Sequence, residues 1–386
     1  MRSYFDHNAT TPPDPAVVEA VVRALRDDFG NPSSVHHFGQ RAKAQLDEAR
    51  SSIAELIGAE PGDVVFTSGG TESDNMALRG AAEAAAAAGS RRHVIASAIE
   101  HEAVLNTVKA LARHGWTATL LPVDARGIVS PASLQAAITP ETAIVSVMHA
   151  NNEIGTIQPI ADLAAIAHEH GALFHTDAVQ SVAKIPVDVR TLGVDLLSLS
   201  AHKFNGAKGA GALWIRRGTR IVSTMTGGKH ERNRRGGTEN VPGIAGLGVA
   251  ARLARTKLTT ESPRIGALRD RLEQGVLAGV PATVVNGEVS ARVPNTTNIS
   301  FDGVEAESLL IALDLEGFGV STGSACSSGT LEPSHVLRAM GLPAPRTQNS
   351  IRLSLGAGNT DAEVDYVVGK LPAIVDKLRK LTRVAR

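Results

Sequence analysis

The chain has 386 residues, 39 basic and 39 acidic side chains, no net charge at neutral pH and 43% apolar residues. That is the make-up of a soluble globular protein with room for two domains. With no basic excess and only 3% aromatic residues, it argues against a surface built for phosphate contacts or base stacking, so no nucleic-acid partner is expected. No stretch reaches the roughly 18 uninterrupted apolar residues needed to span a bilayer, and Met1–His7 has no apolar signal core. A single cysteine excludes a disulfide scaffold, and a cytoplasmic enzyme with no membrane partner is the expectation.

In chain order, β-branched runs alternate with helical periods. Val64–Thr67 reads as a strand, followed by a glycine turn and a helix start. His93–Ala96, Ala143–Met148, Ala172–His175, Leu196–Leu199 and Gly211–Ile215 read as further strands, and Ile160–His170 as a helix between two of them. The run Ala81–Ala88 reads as helix because alanine is the best helix former. Apolar strands alternating with helices predict an α/β fold whose mostly parallel sheet is covered on both faces. Around Arg252–Pro263 the sequence turns polar, which suggests a domain boundary; a helix and strands such as Thr297–Phe301 follow it.

Five polar segments end predicted strands, and in α/β sheets ligands bind beyond the carboxyl ends of strands. In Thr67–Ser73, Gly69 and Gly70 permit a tight turn, and Thr71 either caps a helix or joins its N-terminus in holding a phosphate. In Ile99–Glu102, His101 is a ligand-facing ring or a plain cap. In Met148–Gly155, Asn151 and Asn152 suit a turn and can also donate to a carboxylate or phenolate. In His175–Gln180, Asp177 follows a buried strand and needs a charged partner, either a cationic heterocycle or an arginine. In Ser200–Phe204, Lys203 stands at the mouth of a pocket, where partial desolvation makes an amine nucleophilic. A lysine able to form a Schiff base, an aspartate for a pyridinium nitrogen and a Gly-Gly-Thr phosphate cup together specify pyridoxal phosphate.

Cys326 is the only cysteine. It has no second thiol for a disulfide or a metal site, and it lies in the small, hydroxylated run Ser321–Gly329. This suits a mobile, reactive thiol, with an idle surface cysteine as the alternative. The pairs His36–His37 and His168–His170 lack neighbouring cysteines, so no metal is expected. The basic run Lys229–Arg235 reads as a loop near a subunit interface.

These segments, with Tyr4–Pro12, Gly30–Ser34, Gly236–Asn240, Gly323–Ser328 and Leu331–Arg338, carry a resemblance that runs nearly end to end. The chain resembles the cysteine desulfurases of the class V, pyridoxal phosphate-dependent aminotransferase family, NifS/IscS type with a long catalytic loop. The resemblance implies fold type I: a large domain (16–260) with a mostly parallel seven-stranded sheet, and a smaller α+β domain (1–15 and 261–386) bearing the cysteine loop. It implies that Lys203 is the Schiff-base lysine, Asp177 the partner of the pyridine nitrogen, His101 the stacking ring and Gln180 the donor to the phenolic oxygen. Gly70, Thr71, Ser200 and His202 match the phosphate cup, and Thr238 a threonine reaching the phosphate from the other subunit of a homodimer. Asn152 and Arg352 match the pair that holds the substrate carboxylate, a task that suits the planar guanidinium fork. The chain departs from the family pattern at His7, where asparagine is usual, and at Ala207, where proline often stands.

The implied activity converts L-cysteine to L-alanine and leaves the sulfur as a persulfide on Cys326. From there it passes to an acceptor protein, such as a scaffold for iron–sulfur cluster assembly. A selenocysteine lyase or an aminotransferase would share the fold, but transamination has no need of a mobile thiol. A non-catalytic scaffold would have no need of Lys203, Asp177, His101 and Cys326 together.

Overall fold

The computed structural model describes residues 2–89, 91–323 and 333–384. The first strand, β1 (Ser3–Tyr4), leads into a loop that crosses toward the centre of the molecule. A large sheet follows, built from β2 (Val64–Thr67), β3 (His93–Ser97), β4 (Thr117–Leu121), β5 (Thr142–Ser146), β6 (Leu173–Asp177), β7 (Leu196–Ser200) and β8 (Gly211–Ile215). Among the described residues its order is β2-β8-β7-β6-β5-β3-β4. Strands β3 to β7 pair in parallel, whereas β8 runs antiparallel to both β2 and β7.

Six of these strands match the apolar runs of the sequence. The seventh, β4, escapes that reading because it is an edge strand, mostly exposed, with threonines alternating along it. By contrast β5, β7 and β8 are buried at every residue, as expected for a sheet with helices on both faces. One apolar cluster, with Ile95, Val145, Phe174, Leu197 and Leu199, fills one face. Another, with Val94, Ile144, Leu196, Leu213 and the helix residues Met76 and Leu78, fills the opposite one. The alternation of neighbouring strand residues between two clusters is the period-two geometry of a strand.

The polar stretch Arg252–Pro263 does not interrupt the secondary structure. It lies inside one helix of 39 residues, Val241–Gly279, with Pro263 in its interior. The first half packs Val241, Ile244, Leu247 and Ala251 into the large core. The second half puts Leu268, Leu272 and Val276 into a separate cluster with Phe5, Ile299, Phe301, Leu313, Phe318, Ile351, Leu353 and Leu371. None of residues 252–263 is buried. Their polarity records solvent along a helix that bridges two cores, and Pro263 removes only one i→i−4 hydrogen bond.

The second cluster covers β9 (Thr283–Val285), β10 (Thr296–Phe301), β11 (Phe318–Gly319) and β12 (Ser350–Ser354). Strands β12, β10 and β9 form an antiparallel sheet, and β1 pairs in parallel with β11. Bridges from Asp6 to Ser354 and from Ser321 to Arg352 tie the first loop and β12 together beside the carboxyl ends of β5 to β7. No helix among the described residues is long and apolar enough to cross a membrane.

Candidate active site

A cavity of about 480 Å³ opens where those strand ends meet the small sheet. Its walls include Gly70, Thr71, His101, Asn152, Asp177, Gln180, Ser200, His202, Lys203 and Arg352. Chain segments as much as 344 residues apart in sequence, from Asn8 to Arg352, thus converge on one space. Thr238 is exposed and does not line it, and Cys326 lies outside the described residues.

Each wall has a local cause. Gly69 begins the helix Gly70–Ala88 at φ 153°, and no side chain caps that end. The first backbone N–H groups of the helix therefore remain available to an anion. A β-carbon on Gly70 would lie 2.9 Å from Val179 Cγ2, so glycine keeps this corner open. Ser200 is the last residue of β7, and a 3-10 turn over Ala201–Lys203 then swings Lys203 into the cavity. Lys203 Nζ donates to the carbonyls of Asn8 (2.7 Å) and Ala9 (2.8 Å). His202 Nδ1 is 3.1 Å from Thr10 Oγ1, and burial with the nearby Lys203 and Lys208 lowers its pKa to about 4.

Asp177 is the last residue of β6 rather than the residue after it. It is buried and accepts the Val179 N–H at 2.9 Å. Among the described residues the basic groups that act on it are His101 and Lys203, not an arginine. Burial raises its pKa, and the Val179 N–H, His101 and Lys203 oppose that rise. A cation placed against it in the cavity would favour the carboxylate further.

His101 both caps and faces the cavity. Its Nδ1 accepts the Ala103 N–H at 3.1 Å, which starts the helix Glu102–Arg113 and leaves the proton on Nε2 in the neutral ring. Burial lowers its pKa, Asp177 raises it and Lys203 lowers it again.

Arg352 reaches the opposite wall from β12. It pairs with Asp6 Oδ1 at 2.6 Å and donates to the Asn152 carbonyl at 2.9 Å. Its Nε is buried without an acceptor, a donor left over for a further oxygen. Gln180 is directed at Asn8 O (2.9 Å) and takes a hydrogen bond from Lys184 Nζ (2.5 Å).

Four groups that the motifs did not single out complete the surroundings. Asn8 is the hub: it receives Gln180 and Lys203 on its carbonyl, and Lys184 and Asn295 on Oδ1. Asp74, from the helix Gly70–Ala88, lines the cavity fully buried; its Oδ1 has no hydrogen bond and lies 3.6 Å from His175 Nε2. Burial and the nearby Asp177 push its pKa well up. Glu153 accepts Ser334 Oγ at 2.5 Å, and a β-carbon on Gly323 would lie 2.9 Å from its Oε2. The described chain on either side of the Cys326 segment therefore meets at one carboxyl group, and Gly323, at φ 88°, is the residue that fits there.

The fourth is Glu100, which is fully buried. Its Oε1 accepts Ser97 Oγ (2.5 Å) and the Met148 N–H (2.8 Å), while Oε2 has no partner. Burial pushes its pKa from 4.5 up to about 8. The folded protein thus holds a proton there that the unfolded chain releases. This contribution to stability is complete below pH 4.5 and is lost as pH rises toward 8. Glu100→Gln, which mimics the neutral acid, gains on the wild type by up to about 1.4 kcal/mol per pH unit through that window. Thermal unfolding of the cofactor-free protein measures the gap, and a gap independent of pH would overturn the assignment.

The other motifs are occupied within the chain. His36 caps the helix His37–Leu56, and His168 Nε2 lies 2.8 Å from Asp195 Oδ2. In the basic run, Glu231 pairs with Arg50 at 2.7 Å and Arg235 with Glu72 at 2.8 Å.

The model of the class-V aminotransferase family matches residues 3–367. The chain belongs to that family. Class-V enzymes of this kind depend on pyridoxal phosphate. The chain is 50% identical over 379 residues to the cysteine desulfurase IscS of Dictyoglomus turgidum, covering 98% of this chain and 96% of the relative. Among solved structures, a NifS-like protein superposes with a TM-score of 0.92 at 38% identity, over 98% of this chain and all of the other. A structure described as SspA in complex with cysteine superposes with a TM-score of 0.82 at 36% identity, over 92% and 99%.

The residues present fit the family's cofactor. The uncapped helix start beside Ser200 suits a phosphate, the buried Asp177 a ring nitrogen cation, and Lys203 the aldehyde carbon.

Proposed function

We propose that the protein is a cysteine desulfurase: it takes sulfur from L-cysteine, leaves L-alanine and carries the sulfur on Cys326. The observation that supports this most is the grouping of Lys203, Asp177, His101 and Arg352 on one cavity, in a chain with a single cysteine. The relatives named cysteine desulfurase and the neighbour described with cysteine agree with it.

Gly70, Thr71, Ser200 and His202 would hold the phosphate of pyridoxal phosphate, Asp177 its ring nitrogen, Gln180 its phenolic oxygen, and His101 would lie against its ring. When bound, the cofactor supplies an electron sink for charge developing at the substrate Cα. Arg352 and Asn152 orient the substrate carboxylate, and the spare Nε–H of Arg352 is suited to that oxygen. Lys203 takes the Cα proton as general base. The Cys326 thiolate then attacks the substrate sulfur: an S–S bond forms as the substrate Cβ–S bond breaks, Cβ takes up a proton, and Lys203 returns a proton to Cα to complete L-alanine. With no second thiol in the chain, the persulfide has no internal thiol to resolve it and awaits an external acceptor, such as an iron–sulfur scaffold protein.

We place residues 16–260 in the cofactor-binding domain, with 1–15 and 261–386 in the small domain; the separate apolar clusters support the division. Thr238, exposed in the single chain, fits a homodimer in which it serves the other subunit's phosphate.

The test is direct. Purified protein given pyridoxal phosphate, L-cysteine and a thiol reductant releases sulfide and L-alanine in equal amounts. Selenide from L-selenocysteine with no sulfide from L-cysteine, in parallel assays, would point to the lyase instead. Neither product would overturn both.

A further inference from the structure

Lys184 is not on the wall of the active-site cavity. It lies behind it, lining a second cavity of about 550 Å³ that also touches Lys203 and His7. Ala183 just before it adopts φ 66°, a left-handed conformation that alanine takes only at a cost. Such strain persists where the surroundings impose it. Here it aims Lys184 at the cavity wall: Nζ donates to Gln180 Oε1 (2.5 Å) and to Asn8 Oδ1 (2.9 Å). Ser262 Oγ holds the Lys184 carbonyl at 2.9 Å.

The geometry points to Lys184 as the residue that orients Gln180 toward the cofactor and ties the Asn8 hub to it. This rests on the pyridoxal phosphate reading above. The two ends of a glutamine amide have almost the same shape, so hydrogen bonds decide which way it faces. An ammonium group has donors and no acceptor, so it binds only the oxygen of Gln180. The Asn8 carbonyl is an acceptor, so it takes Nε2. With both ends assigned, one N–H of Gln180 remains for an acceptor in the cavity, as a phenolic oxygen requires. The same Asn8 carbonyl receives Lys203, so a shift of Asn8 would move that amine too. Burial, with Lys203 and Arg352 nearby, lowers the Lys184 pKa well below its usual value. A neutral amine gains a lone pair, but its two N–H groups still meet Gln180 Oε1 and Asn8 Oδ1 while the Asn8 carbonyl takes Gln180 Nε2, so the amide keeps the same orientation.

Lys184→Met removes both donors and keeps most of the stem; Lys184→Arg restores donors. The holoenzyme's absorbance is titrated against pH, and its dissociation constant for pyridoxal phosphate is measured, in the wild type, both variants, Gln180→Ala and the double variant Lys184→Met/Gln180→Ala. Lys184→Met shifts the absorbance midpoint by up to about one pH unit, in the same direction as Gln180→Ala, and weakens cofactor binding about tenfold. Lys184→Arg recovers part of both changes, and the double variant adds little to Gln180→Ala alone, as expected of two residues acting as a unit. A wild-type midpoint and affinity in Lys184→Met, or full additivity in the double variant, would overturn the proposal alone. A wild type that binds no pyridoxal phosphate would overturn the cofactor reading and this inference with it.

Discussion

Lys203→Ala lowers sulfide release from L-cysteine by more than about a thousandfold. Loss of a positioned proton-transfer group alone costs about 10²–10⁴-fold, and this lysine is assigned a second task, carrying the cofactor. Borohydride reduction then no longer fixes pyridoxal phosphate to the protein. The fold survives the change, because the Asn8 carbonyl keeps its bond from Gln180 when the lysine donor is gone. Equal thermal unfolding of the cofactor-free forms checks that point. Covalent retention of the cofactor by Lys203→Ala would remove Lys203 from its assigned role.

Cys326→Ala reduces sulfide and alanine formation to the level of a protein-free control. No other residue of the chain can replace it, since Cys326 is the only thiol. An unperturbed thiol near pKa 8.5 is only about 10% thiolate at pH 7.5, yet thiolate is far the better nucleophile toward sulfur than a hydroxyl. Cys326→Ser therefore fails as well. Both variants still bind pyridoxal phosphate and still change its absorbance when L-cysteine is added, because Arg352, Asp177 and Lys203 are all retained on the cavity wall. Release of sulfide at the wild-type rate by Cys326→Ala would sink the persulfide route while leaving the cofactor site intact.

The two substitutions separate what the residues are for. One removes the amine that holds and deprotonates; the other removes the atom that accepts sulfur. Glu153 joins the two regions in space, since it meets Gly323 and Ser334 on either side of the cysteine segment and also lines the cavity.

Strands β5, β7 and β8 were legible as mostly apolar runs with at most a small hydroxyl among them, because a strand covered on both faces has no solvent-facing positions to mark with charged residues. The polar residues at their ends stood out against those runs. Lys203, and Asp177 at the end of β6, could be named for that reason, and Gly70 because a glycine pair before a helix start marks a tight turn. The resemblance to a known family added the roles of Arg352, Gln180 and Thr238, which no local pattern carries.

Local pattern records whether a residue meets water or an apolar neighbour over one or two turns. On that basis the sequence by itself determined the α/β class, the strand ends that carry the chemistry and the single thiol. At Arg252–Pro263 it marked an exposed stretch between two cores but not that one long helix runs through it. Tertiary structure decided the rest: that Asn8 gathers Gln180, Lys184 and Lys203, that Glu100 and Asp74 are buried beside Asp177, and that Arg352 faces Asn152 across 200 residues. Those contacts join residues far apart in the chain, and their partners are set by how two cores pack around one helix, a choice that no short window of sequence contains.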